Sequence, residues 1–264
     1  AEIVRRSSNV GTIMWAQETG ATVLHSKLVD FGLGQATGLR FPGEAHGILL
    51  PLAKWSGTSL PTIAIGQGVA ATPIQMLISY ATLANRGVQP APTLVLGIRD
   101  HGGVLESVGN DVGRRVVSKA TAEELVVMME EAVRSGTGTR AQVPGYRVAG
   151  KTGTAWKPHP AGGYGEEEGE VRYVASFAGF LPADAPELVV LVIVDEPAGH
   201  PYTGGSVAAP VFSEFSKFAV RQLRIPAAEE RMDLDMPGRV MVATPAQALT
   251  ATAADQLAAT GPVG

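Results

Sequence analysis

Apolar positions recur at helical spacing near the start of the chain. Val10, Ile13 and Met14, with Gln17 and a stop at Gly20, predict a helix over 9–20 with Ser7 and Asn9 at its start. A second short helix is expected over 21–31, before a loop punctuated by Gly32-Leu33-Gly34-Gln35 and Phe41-Pro42-Gly43-Glu44. Helix resumes at Thr72-Pro73-Ile74-Gln75, which joins a capping-box pattern to a proline at the first helical position. Ile74, Leu77, Ile78, Ala81 and Ala84 carry its apolar stripe to Asn85-Arg86-Gly87. A second capping box, Thr121-Ala122-Glu123-Glu124, predicts a helix that turns Leu125, Met128, Met129 and Val133 to one side and ends at Ser135-Gly136-Thr137-Gly138. The pattern then becomes strand-like over 147–156, 173–181 and 188–195, with Pro182-Ala183-Asp184-Ala185-Pro186 as a hairpin-like link, so antiparallel pairing is expected. After Gly204-Gly205-Ser206, the residues Val207, Val211, Phe215 and Phe218 predict a helix lying across that sheet. The fold class that follows is α/β in its α+β form: an antiparallel sheet flanked by helices, with an adjoining helical region.

Composition bounds this picture. With 264 residues, 45% hydrophobic and 17% charged, the chain can bury a sizeable core. One large domain over 1–223 is expected, followed by an Ala-, Thr- and Pro-rich appendage over 224–264 in which Val240-Met241-Val242 would add a short strand. The acidic run Glu166-Glu167-Glu168 reads as the solvated tip of a hairpin. A net charge of −4 and no cluster of Lys or Arg argue against a nucleic-acid partner. The absence of cysteine excludes thiolate catalysis, disulfides and Cys-ligated metal. The histidines His25, His46, His101, His159 and His200 lack ligand spacing, so neither a metal nor a cofactor is expected. The longest aliphatic run, over 188–194, falls far short of the roughly 20 residues that span a bilayer.

The candidate chemistry lies in Ala149-Gly150-Lys151-Thr152-Gly153-Thr154-Ala155, set on a strand, and in Ser7-Ser8-Asn9 far upstream. An ammonium, two hydroxyls, a glycine without a side chain and backbone N–H groups converge on one small space. That set suits a carboxylate-bearing substrate and a developing oxyanion. The serine-enzyme signature of which these are two parts has a third, S-x-x-K. No Ser stands three residues before any Lys in this chain.

Taken with their flanks, these residues resemble the transpeptidase domain of penicillin-binding proteins, in particular the monofunctional class B enzymes of septal cell-wall synthesis. Phe31-Gly32-Leu33-Gly34, Pro42-Gly43-Glu44, Ile65-Gly66-Gln67-Gly68, Thr72-Pro73-Ile74-Gln75, Ala84-Asn85-Arg86-Gly87 and the stretch from Gly204-Gly205-Ser206 to Ala209-Pro210-Val211-Phe212 stand as that family's landmarks, in its order. The resemblance implies a peptidoglycan D,D-transpeptidase acting on D-Ala-D-Ala stem peptides through a serine acyl-enzyme, with β-lactams as mimics of the acyl donor. It implies that Lys151 attracts the substrate carboxylate and polarises Ser7, that Thr152 and Thr154 donate hydroxyl hydrogen bonds to that carboxylate, and that the Thr154 N–H supplies an oxyanion donor. Gly153 would let the substrate lie along the strand, Ser7 would relay a proton to the leaving amine, and Asn9 would hold the substrate amide. It further implies a C-terminal fragment whose nucleophilic Ser and its Lys lie in the missing N-terminal part of the same protein. A membrane anchor outside this chain, an extracytoplasmic location and membrane proteins of the division complex as partners are expected on the same ground.

Blander readings compete. Ser7 and Asn9 are also helix-capping residue types, Glu44 after Pro-Gly reads as a loop partner, and Trp156, Tyr202, Arg172 and Tyr173 read as packing residues as readily as cleft lining. Within the enzymatic reading, a serine β-lactamase or D,D-carboxypeptidase would use water as acyl acceptor, and a non-catalytic penicillin-sensing module would lack a nucleophile altogether.

Overall fold

The computed structural model describes residues 1–39, 41–95, 97–99, 101–103, 105–107, 113–158 and 171–228. The expected strand at Val240-Met241-Val242 and the hairpin tip at Glu166-Glu167-Glu168 lie outside the described residues. In chain order the elements are α1 (Glu2–Arg6), α2 (Asn9–Thr19), α3 (Ala21–Asp30), α4 (Ser59–Ala64), α5 (Pro73–Ala84), β1 (Val88–Gln89), β2 (Gly97–Arg99), β3 (Leu105–Ser107), β4 (Arg114–Arg115), α6 (Lys119–Ser135), β5 (Ala149–Trp156), β6 (Tyr173–Leu181), β7 (Leu188–Asp195) and α7 (Gly204–Gln222). The main sheet runs β5-β6-β7, antiparallel throughout, with Thr152 opposite Phe177 and Phe177 opposite Val192. Two short ribbons, β1 with β4 and β2 with β3, stand apart from it.

The central strand β6 is apolar on both faces, as a strand covered on both sides must be. On one face Phe177 meets Phe212 of α7, their ring centroids 4.7 Å apart, within a core that takes in Leu181, Val190, Ala208, Ala209 and Val220. On the other face Phe180 packs with Met129 of α6 and, from α5, Tyr80 and Leu83. The result is a helix–sheet–helix sandwich that holds β5 as an edge strand of the described sheet. Truncating Phe177 or Phe212 would remove about 3–5 kcal/mol from this core. The core extends beyond α7: Ile225 is buried in it, and the Ala228 N–H donates to the Gly145 carbonyl at 3.1 Å.

The helices follow their caps. Thr72 Oγ1 accepts from the Gln75 N–H at 3.2 Å and Gln75 Oε1 accepts from the Thr72 N–H at 2.9 Å, which is the expected capping box. The same Gln75 is 1% exposed, and its Nε2 donates to the Gln35 and His46 carbonyls, latching the upstream loop onto α5. The helix expected to begin at Thr121 begins at Lys119 instead. Ser118 is its N-cap, accepting from the Thr121 N–H at 3.0 Å, and an earlier capping hydroxyl extends the helix toward its N-terminus. The first expected strand region narrows from 147–156 to Ala149–Trp156, and Arg147, just before it, is held in a bidentate ion pair by Glu130.

One expectation is reversed. Val211, Phe215 and Phe218 of α7 are at least half exposed, and the sheet is met instead by Gly204, Ala208, Ala209, Phe212 and Ala219. Both stripes share the helical period and differ by one residue in phase. The small residues win the sheet because they let the helix axis approach it: a Cβ on Gly204 would collide with the carbonyls of Ser176 and Gly153.

Candidate functional site

Each side chain of the site is delivered by a local rule. Helix α1 ends in a Schellman arrangement, the Ser8 N–H on the Ile3 carbonyl at 3.0 Å and the Ser7 N–H on the Val4 carbonyl at 3.3 Å, with Ser7 in the left-handed position at φ 56°. Glycine usually fills that place, so a serine there stores strain of about 1–2 kcal/mol and turns its hydroxyl away from α1. Helix α2 starts one residue later, and it is Ser8 whose Oγ caps it, on the Gly11 N–H at 3.2 Å. Capping therefore falls on Ser8, and Ser7 is left free for other contacts.

Ser7 uses that freedom on β5. Lys151 Nζ donates across 144 residues of sequence to Ser7 Oγ at 2.8 Å, and locally to the Thr152 carbonyl at 3.0 Å and to Thr152 Oγ1 at 3.2 Å. Burial drives the Lys151 pKa down to about 8 from 10.5, so close to neutral pH the ammonium persists while its proton is unusually labile. Thr154 Oγ1 accepts from the Gly204 N–H at 3.0 Å, which pins the first turn of α7 to β5 and leaves the Thr154 proton free to donate outward. Gly153, between the two threonines, faces Ser176 across the ladder. Asn9 lies exposed in the first turn of α2, and among the described residues no hydrogen bond joins its side chain to β5.

At the far end of β5, Trp156 is half exposed and pairs in register with Tyr173. Tyr173 in turn stacks on Tyr202 with ring centroids 4.0 Å apart, and His200 tilts against Tyr202. Arg172 is engaged by Glu196 at 3.1 Å, in a group completed by Lys157 and Asp195. The expected residues Trp156, Arg172, Tyr173 and Tyr202 thus gather at one end of the strand. Glu44 takes the loop role: it accepts from the Thr37 N–H and Oγ1, and those bonds hold its pKa below the usual carboxylate value.

Sequence reading did not single out Thr137, whose Oγ1 is 2.7 Å from Thr152 Oγ1. The only signal was its place in a glycine-flanked turn, which read as a helix stop.

An edge strand thus carries a lysine ammonium and two threonine hydroxyls beside a serine hydroxyl, a set of donors of the kind that binds a carboxylate. The family model of the penicillin binding protein transpeptidase domain matches residues 1–217, and the chain belongs to that family. It is 38% identical over 232 residues to penicillin-binding protein PbpB of Mycolicibacterium smegmatis, covering 84% of this chain and 35% of that protein. It is 33% identical to peptidoglycan D,D-transpeptidase FtsI of Escherichia coli, covering 84% of this chain and 36% of that protein. Among solved structures, penicillin-binding protein 3 of Mycobacterium tuberculosis complexed with aztreonam superimposes with a TM-score of 0.77 at 34% identity, over 92% of this chain and 53% of that one. The chain therefore spans about a third of the length of the M. smegmatis and E. coli proteins.

Proposed function

We propose that this chain is the C-terminal part of a septal-type peptidoglycan D,D-transpeptidase and supplies the acyl-donor side of its active site. The observation that carries the reading is the contact of Lys151 Nζ with Ser7 Oγ at 2.8 Å beside the Thr152 and Thr154 hydroxyls. In the complete enzyme a serine oxygen from the N-terminal part of the same protein attacks the carbonyl carbon between the two D-Ala residues. The C–N bond breaks, the terminal D-Ala leaves as an amine after taking up a proton relayed through Ser7, and an acyl ester remains. An amine of a second stem peptide then attacks that ester, and the serine regains its proton. The leaving D-Ala carries the carboxylate that Lys151, Thr152 and Thr154 receive.

Two apolar faces support the idea that more of the protein packs here. Val211, Phe215 and Phe218 on α7 and Val10 and Met14 on α2 are all at least half exposed, more than a finished domain leaves uncovered in two stripes. On the same reading the enzyme works at the extracytoplasmic face of a membrane with division-complex membrane proteins as partners; no helix of the described residues is long and apolar enough to cross a membrane.

The test is intact-mass analysis of the full-length protein before and after incubation with a fluorescent penicillin, followed by peptide mapping. A stable adduct on a serine N-terminal to this segment supports the reading. No adduct overturns it in favour of a non-catalytic binding module, and an adduct that water clears rapidly moves it to a β-lactamase.

A further inference from the structure

The turn over 135–138 ends α6 far from the strand motif in sequence, yet three parts of the site rest on it. The Thr137 N–H donates to the Arg5 carbonyl at 3.3 Å and Arg5 Nη1 donates to the Ser135 carbonyl at 3.1 Å, so the turn holds the end of α1, where Ser7 sits. A Cβ on Gly205 would collide with the Thr137 carbonyl, so the turn also abuts the start of α7, whose Gly204 N–H binds Thr154. Thr137 Oγ1 itself reaches Thr152 Oγ1 at 2.7 Å. Thr137 is exposed.

Proton counting gives this contact a consequence. A hydroxyl has one proton and two lone pairs, and an ammonium can only donate. Thr152 Oγ1 accepts from Lys151 Nζ at 3.2 Å, which occupies one lone pair. If Thr137 donates into the second, the single Thr152 proton has no acceptor among the described residues and is left to donate to a bound ligand. If Thr137 were absent, water would compete for that lone pair and the Thr152 hydroxyl would rotate freely. We propose that Thr137 is a positioning residue that donates to Thr152 and thereby aims the Thr152 hydroxyl at the carboxylate of the acyl donor. The proposal rests on the acyl-transfer reading above and adds to it a residue that selects for anionic donors.

The experiment uses the full-length protein and compares second-order acylation rates for benzylpenicillin and its uncharged methyl ester in wild type, Thr137→Val, Thr137→Ala and Thr137→Ser. Loss of one aimed hydrogen bond to a charged group predicts that Thr137→Val slows the carboxylate substrate about tenfold while the ester rate stays within about twofold. Thr137→Ser restores the donor without the methyl group that fixes its rotamer, and recovers the carboxylate rate to within about threefold. Thr137→Ala carries the same test if the valine variant does not fold. Equal slowing of both substrates assigns the turn a purely structural role and overturns the proposal, as does an unchanged rate ratio. If wild type forms no adduct with either compound, the acyl-transfer reading falls and this inference falls with it. A wild type that reacts while the variants keep its preference refutes this inference alone.

Discussion

Ser7 offers a perturbation in which stability and chemistry move in opposite directions. It occupies φ 56° and ψ 47° at the end of α1, where a side chain costs an L-residue about 1–2 kcal/mol and glycine nothing. Replacing Ser7 by Gly relieves that strain, and replacing it by Ala does not, while both remove the hydroxyl that accepts from Lys151. The comparison of Gly with Ala therefore isolates the backbone term. Glycine's larger unfolded-state entropy returns about 0.4–1 kcal/mol, which leaves Ser7→Gly more stable than Ser7→Ala by about 1 kcal/mol. In a domain of this size that is about 2–4 °C in Tm. Acylation by a fluorescent penicillin should fall in both variants, by about 10²-fold or more if Ser7 relays the proton. Differential scanning calorimetry and acylation kinetics on the full-length protein check the two halves. An Ala variant as stable as the Gly variant would refute the strain argument, and wild-type acylation in either would refute the relay.

Two further outcomes follow from the same geometry. Lys151 titrates at about 8 in the fold and at 10.5 when unfolded, so between those values the unfolded chain binds more protons and stability rises with pH, while below pH 8 the buried ammonium costs on the order of 3 kcal/mol. Urea unfolding from pH 7.5 to 10 should show that rise in wild type and lose it in Lys151→Met. Over the same range the acylation rate with benzylpenicillin should decline above pH 8 as the ammonium is lost. Gly204→Ala would force a methyl against the Ser176 and Gly153 carbonyls, costing about 1–3 kcal/mol and loosening the Gly204 N–H from Thr154. A lower Tm with slower acylation is expected, and an unchanged pair of values would show that α7 does not pack as described.

Read as sequence, the chain already carried its sheet, its principal helices and the strand that bears Lys151, Thr152 and Thr154. Those are local matters, since periodicity, capping hydroxyls and turn residues act over a few positions. The Thr72 capping box is the plainest case, because both partners of each bond lie within one helical turn. What sequence left open depended on partners distant in the chain. The phase of α7 was ambiguous because two stripes share one period, and only the close approach of Gly204 to β5 and β6 selects the small-residue face. The division of labour between Ser7 and Ser8 needed the left-handed end of α1, and Thr137 was invisible until the fold set it beside Thr152. Residue type and spacing determined which chemistry the chain can hold. The long-range hydrogen bonds of Lys151 to Ser7 and of Thr137 to Thr152 exist only once the sheet and its helices are packed, because nothing but that packing brings their backbones together.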